Sequence, residues 1–179
     1  MRTVIHKLFW AWDFDKEEAW LNEMAARGLA MVSYGFCRYE FEPCQPGEYS
    51  IRIQLLDELP AHPESGAYLK FLEETGAEQV GSWLRWVYLR KKTSDGPFEL
   101  FSDNKSKVRH LTGIITLISV ITAINFAAGG YNIFLYFLYR IPAALLGCVN
   151  LALAAFFTVG LVRLFRKRKA LQTDARLFD

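Results

Sequence analysis

Two long runs without charge limit this chain more than anything else in it. Leu111 to Gly130 reads LTGIITLISVITAINFAAGG, and Pro142 to Val162 reads PAALLGCVNLALAAFFTVGLV. At about 1.5 Å per residue, either run as a helix covers the ~30 Å hydrocarbon layer of a bilayer. A soluble domain of this size has no core able to hide two such helices. The pair is therefore expected to form a transmembrane hairpin over residues 111–162. Between the runs lies YNIFLYFLYR, Tyr131 to Arg140. It reads as an aromatic segment at the far membrane interface, or as the start of a longer second helix kinked near Pro142. The interfacial reading is preferred because it keeps Arg140 out of the lipid.

Charge divides the chain at the same place. Residues 1–109 hold 14 of the 21 Lys and Arg and 17 of the 19 Asp and Glu, a formal charge of −3. From His110 to Val162 only Arg140 is charged, and RLFRKRK follows at Arg163 to Lys169. Basic residues thus flank both ends of the hairpin, with KSKVRH before it. Both termini are expected on the cytoplasmic side of a two-pass protein of the cell membrane. The terminal basic run should lie against anionic lipid headgroups. The opening MRTVIHKLFWAWDFDKEEAW meets charge and tryptophan too soon for the apolar region of a signal peptide. The expected organisation is a cytoplasmic domain over 1–92, a juxtamembrane linker over 93–110, the hairpin, and a basic cytoplasmic tail over 163–179. A channel or pump usually needs ionisable groups within the membrane, whereas Asn125 and Asn150 suit helix packing.

Within the soluble part, AWLNEMAARGL at Ala19 to Leu29 has a near-copy forty-eight residues on, AYLKFLEETGA at Ala67 to Ala77. The first copy closes a helix: Trp20, Leu21 and Met24 form an apolar stripe, and Gly28 can take the left-handed closing conformation. Glu17 and Glu18 sit in its first turn, where negative charge suits the exposed amides. TVIHKLFW before the helix and LAMVSYGFCRYEF after it read as strands, with a bulge or bend at Gly35. YSIRIQLL alternates strictly, with Tyr49, Ile51, Ile53 and Leu55 on one face. After the second helix, AEQVGSWLRWVYLRKK reads as one strand with room for a bend near Gly81 to Leu84. Strand, helix, strand repeated twice predicts an α+β, ferredoxin-like sandwich of four antiparallel strands, both helices on one face.

That arrangement leaves the other face open. If Tyr39, Phe41, Ile51, Ile53, Val87 and Leu89 face the helices, then Arg38, Glu40, Arg52, Gln54, Trp86, Tyr88 and Arg90 face outward. Arg38, Arg52, Gln54, Trp86, Tyr88 and Arg90 form the candidate interaction face, because aromatic and Arg side chains carry much of the energy of protein contacts. Alternatives are a register slip near Gly81 that buries Trp86, cover by the link TSDGPFELFSDNKSKV, or a homodimer contact. Trp86 falls opposite Arg38 in the repeat and Tyr88 opposite Glu40, so the two copies differ most here.

Linear signatures of catalysis are absent. His6, His62 and His110 are isolated, and none has HExxH spacing. Ser82 lies in VGSWL rather than a GxSxG elbow. Cys37, Cys44 and Cys148 contain no CxxC and read as reduced thiols. Glu17 and Glu18 are adjacent on a helix and point in different directions, which reads as exposed surface charge. No catalytic residue, metal or cofactor is expected.

WDFDKEEAWLNEMAARGL, PGEYSIRIQLLDE, EETGAEQVGSWLRWVYLRKK and FSDNKSKVRHL together resemble a bacterial family catalogued as domain of unknown function 2812. The resemblance covers roughly residues 5–110. Leu29 and Ala77 depart from it, standing where an aromatic often follows each helix-closing glycine. Genes of that family often neighbour transcriptional regulators of the PadR type, so the resemblance implies a membrane-tethered regulatory or stress-related accessory. The function expected is a cytoplasmic interaction or sensory domain held at the membrane. The alternative is a structural subunit of a membrane complex or transporter, with Gly147 and Ala143 packing against foreign helices. A small-molecule binder or enzyme ranks third. Expected partners are anionic lipid, a regulatory protein or membrane subunit, or a second copy of the chain. The acidic soluble part argues against nucleic acid.

Overall fold

The computed structural model describes residues 2–101 and 103–177. The chain divides into two compact units, Met1–Ser102 and Asp103–Asp179. The first begins with β1 (Thr3–His6), a 3-10 turn (Ala11–Asp13), α1 (Phe14–Ala26), β2 (Leu29–Gly35) and β3 (Arg38–Pro43). It continues with β4 (Tyr49–Leu55), α2 (Pro63–Glu74), β5 (Ala77–Trp83) and β6 (Trp86–Lys92). The strands form two three-stranded antiparallel sheets, ordered β1-β3-β2 and β4-β6-β5.

The mixed α/β class is as expected, but two three-stranded sheets replace the single four-stranded ferredoxin-like sheet. Each long strand read from the sequence, 29–41 and 77–92, is in fact a hairpin. The reversals are two residues long, between the pairs Gly35↔Arg38 and Trp83↔Trp86. Two-residue hairpins normally place Gly or Asn where φ is positive. Here Cys37 (φ 57°) and Leu84 (φ 53°) take that conformation, so the usual signal is missing. The repeat itself is real and larger than expected: strand, helix, strand, strand. Adding forty-eight to the bounds of β2 gives the bounds of β5. The bulges between Met31 and Ser33 and between Gln79 and Gly81 correspond in the same way. Gly28 (φ 83°) and Gly76 (φ 86°) close the two helices identically.

Leu21, Met24 and Ala25 of α1 pack with Met31, Tyr39, Phe41, Ile51, Ile53 and Tyr88. Leu69 and Leu72 of α2 pack with Ala77, Val87, Leu89 and Phe98. β6 therefore has no open side: Tyr88 belongs to the first core, Val87 and Leu89 to the second. The free edge of β4 is occupied by α1 side chains. Asn22 Nδ2 donates to the Ile51 carbonyl (2.9 Å), and its Oδ1 accepts the Ile51 N–H (2.9 Å). Glu18 accepts the Ile53 N–H at 2.9 Å. These bonds stand in for a neighbouring strand and protect the edge.

The second unit consists of α3 (Asn104–Tyr139) and α4 (Ala144–Leu177), both long and apolar enough to cross a membrane. Asp103 caps α3 by accepting the Ser106 N–H at 2.6 Å. The aromatic segment from Tyr131 onward continues α3, and is neither a separate interfacial piece nor the start of the second helix. α3 stops at Arg140, which turns left-handed (φ 56°, ψ 22°) just ahead of the Ile141–Pro142 step. A residue before proline disfavours helix, and proline itself has no N–H to give. RLFRKRK is the continuation of α4. Gly129 and Gly147 bring the helices together. A Cβ on Gly129 would come 2.7 Å from Leu151, and one on Gly147 2.9 Å from Ile133. The small residue at Gly147 thus serves the hairpin's own packing. Asn125 donates to the Ile121 carbonyl within α3 (2.9 Å).

Candidate functional site

A cavity of about 190 Å³ opens in the N-terminal unit. The segment after β1 contributes Leu8, Phe9 and Ala11, and the first turns of α1 contribute Phe14 and Glu17. The first hairpin supplies Tyr34, Phe36 and Cys37, and the second supplies Trp83, Leu84, Trp86 and Tyr88. Leu8, Phe36, Trp83 and Leu84 are exposed and form an apolar rim. Cys37 and Leu84, the two hairpin-turn residues with positive φ, both line this cavity. Residues held in sparsely populated backbone regions tend to gather at binding sites.

Glu17 is the one charged side chain of the lining and is only 7% exposed. Its Oε1 accepts the Tyr39 hydroxyl at 2.6 Å and the Tyr88 hydroxyl at 2.7 Å. Tyr34 stacks on Tyr88 with ring centroids 4.1 Å apart and meets Tyr39 edge-on at 5.1 Å. Phe14 leans on Trp86 at 6.0 Å, and Phe36 on Trp83 at 5.2 Å. Burial raises the Glu17 pKa above the ordinary carboxylate value, and the two tyrosine hydrogen bonds pull it partly back. Tyr39 and Tyr88 are pushed far upward, first by burial and then by the Glu17 charge, so both stay protonated and donate to it. Among the described residues no Lys or Arg forms an ion pair with Glu17.

The internal repeat carries a different residue at the equivalent position. Forty-eight residues on, the equivalent position is Ser65, also buried (6%), whose hydroxyl donates to the Glu58 carbonyl at 3.3 Å. Tyr39 corresponds to Val87, and Tyr34 to Ser82. The second half thus builds the same helix and hairpin with a serine at the Glu17 position.

Of the residues expected on an open face, Trp86 and Tyr88 come together in the cavity wall, and Tyr88 is 3% exposed. That overturns its assignment to an outward surface: β6 is covered on both sides. Arg90 is a clamp between the sheets. Its Nε donates to Glu78 (2.8 Å), its Nη1 to the Met31 carbonyl (3.1 Å), and its guanidinium lies over Tyr49 (4.7 Å). Arg52 pairs with Glu18 at 3.4 Å, Gln54 accepts the Tyr68 hydroxyl at 2.9 Å, and Arg38 pairs with Glu40. Each of the four polar members is engaged within the chain.

Glu17 was misread as surface charge, yet a signal was present. It precedes Trp20, Leu21 and Met24 by three, four and seven residues, which places it on the apolar stripe of α1. A second concavity, bordered by Glu73, Glu78, Arg90, Lys91 and Lys92, mixes both signs of charge and includes the Arg90–Glu78 pair. Among the described residues no group of three or more His, Cys, Asp or Glu could hold a metal ion.

The family described as "Protein of unknown function (DUF2812)" matches residues 13–124. The chain belongs to that family, whose match takes in α1, both hairpins and the first half of α3. No curated protein and no solved structure matches it.

Proposed function

We propose that this chain is a membrane-tethered sensory domain, regulatory and non-catalytic, whose cytoplasmic unit takes a small molecule into the Glu17 cavity. The observation that carries this reading is the pairing of an aromatic-lined cavity with one buried carboxylate in its wall. Concave, mostly apolar sites with a few placed polar groups are the usual form of small-molecule sites. The two hairpin turns that form the rim would feel an occupant directly, and their exposed Phe36 and Leu84 give a protein partner an apolar contact that changes with occupancy. Basic residues at both ends of the hairpin favour cytoplasmic termini, with RLFRKRK against anionic headgroups. Tethering raises the concentration of the domain near partners at the bilayer.

Crosslinking of the full chain in native membranes, read by mass spectrometry, tests the proposal. Crosslinks from a regulatory protein to the two hairpin turns of the N-terminal unit are expected. Crosslinks confined to α3 and α4 would overturn it in favour of a structural subunit of a membrane complex.

A further inference from the structure

We infer that the Glu17 cavity recognises a small organic cation: a single positive charge, of the ammonium type, on an apolar body of one or two rings. This rests on the cavity being the ligand site of a sensory domain and adds the chemistry of the ligand.

Size comes first. A closed apolar cavity of roughly 150 Å³ holds one benzene ring. At about 190 Å³, with one side open, this cavity suits a substituted single ring or a compact bicycle. Shape and polarity come from Phe9, Phe14, Tyr34, Trp83, Trp86 and Tyr88, whose ring faces attract a cation and whose area suits an apolar body.

The sign of charge comes from Glu17. Its two tyrosine donors share Oε1, and among the described residues no donor reaches Oε2. Oε2 is therefore open to the cavity, and the desolvation cost of a carboxylate this deeply placed favours a cation beside it. An anionic ligand would worsen that cost, and a neutral one would leave it unchanged. A cation removes it, as aromatic cages do for quaternary ammonium groups. A purely structural acceptor for two tyrosines would not need charge.

Binding a cation favours the ionised carboxylate, so affinity should rise as pH is raised through the elevated Glu17 range. The titratable groups facing Glu17 are Tyr39 on β3, Tyr88 on β6, Tyr34 on β2 and Cys37 in the first turn. Burial holds the three tyrosines protonated over that range, so Glu17 dominates the profile.

The test uses the full chain in lipid nanodiscs, with empty nanodiscs as baseline, read by calorimetry and by tryptophan fluorescence. The probes are phenyltrimethylammonium, its neutral isostere tert-butylbenzene, and benzenesulfonate. The cation is expected to bind saturably and at least about tenfold more tightly than the isostere, with no binding of the sulfonate. Glu17→Gln should cost the cation about tenfold or more and leave the isostere unchanged, while Ser65→Ala alters neither. Trp86→Leu provides a second variant, expected to weaken the cation if Glu17→Gln fails to fold. Equal binding of cation and isostere would overturn the inference while leaving a ligand-binding sensor in place. Binding of none of the probes would overturn it as well, and the crosslinking result would then decide the sensory reading separately.

Discussion

Gly81 on β5 lies directly against Tyr34 on β2: a Cβ built on Gly81 would come 2.6 Å from the Tyr34 Cβ and 3.0 Å from its backbone nitrogen. Gly81 closes the bulge of β5, and Tyr34 follows the corresponding bulge of β2, where the two strands meet. Neither atom is the flexible end of a side chain, so an added methyl cannot be absorbed by a rotamer change. Gly81→Ala should destabilise the N-terminal unit by about 1–3 kcal/mol, as overpacking does. Because Tyr34 is also a cavity wall, the same change should weaken ligand binding. Thermal unfolding of the full chain, followed by tryptophan emission, measures the first effect. A variant as stable as the parent would show that the strands separate without cost.

Glu17 should make stability depend on pH in a defined direction. Burial raises its folded pKa above the ordinary value of 4.5. Between 4.5 and the raised value, the folded chain keeps a proton that the unfolded chain has released. Stability from this group is therefore fully present below that window and declines as pH rises through it. Gln can accept the same two hydroxyls and carries no titration. Glu17→Gln is expected to flatten this part of the profile and to stabilise the chain above the window. A variant that is more stable yet cannot bind the cation is the signature of a residue kept for function. Unfolding midpoints of both proteins across pH 4 to 8 check this. Parallel profiles would remove Glu17 as the source.

The repeat was legible from AWLNEMAARGL and AYLKFLEETGA because helix stripes and closing glycines recur at fixed spacing. The membrane-length helices were legible because charge is absent over whole runs. The hairpins were not, since Cys37 and Leu84 adopt positive φ without Gly or Asn, and strand patterns on either side simply merge. Tyr88 was placed outward because a sheet covered on one side was assumed, whereas α1 and α2 cover opposite sides of β6. Glu17 read as surface charge because it is adjacent to Glu18 and the two point in different directions. Its position on the same stripe as Leu21 pointed the other way, but only the tyrosines on β3 and β6, distant in sequence, explain why an acid is tolerated there.

Asn22 should be costly to replace for a reason that sheet diagrams omit. Its amide both donates to and accepts from Ile51 on the edge of β4, and it also donates to the Glu18 carbonyl at 2.8 Å. Asn22→Ala leaves two partly buried backbone groups without partners, at about 1–3 kcal/mol for the pair after solvent relaxation. Hydrogen exchange at the Ile51 amide should accelerate in proportion, while Tyr88 on β6 changes less. Equal acceleration at both positions would mean that the whole unit has loosened rather than the edge alone.

The hairpin makes its own prediction, independent of the cavity. Gly129 admits the Leu151 side chain at a distance that any Cβ would violate (2.7 Å), and Gly147 does the same for Ile133 (2.9 Å). Close packing between small and large residues is the main source of helix association in lipid. Gly129→Val should push α3 and α4 apart, and truncating the opposing side chain should relieve the clash. The double variant Gly129→Ala with Leu151→Ala is therefore expected to recover most of the stability lost by Gly129→Ala alone, a positive coupling of about 0.5–3 kcal/mol. Resistance to unfolding in mixed detergent micelles gives the four corners of this cycle. Additive losses would show that the two residues do not meet in the membrane.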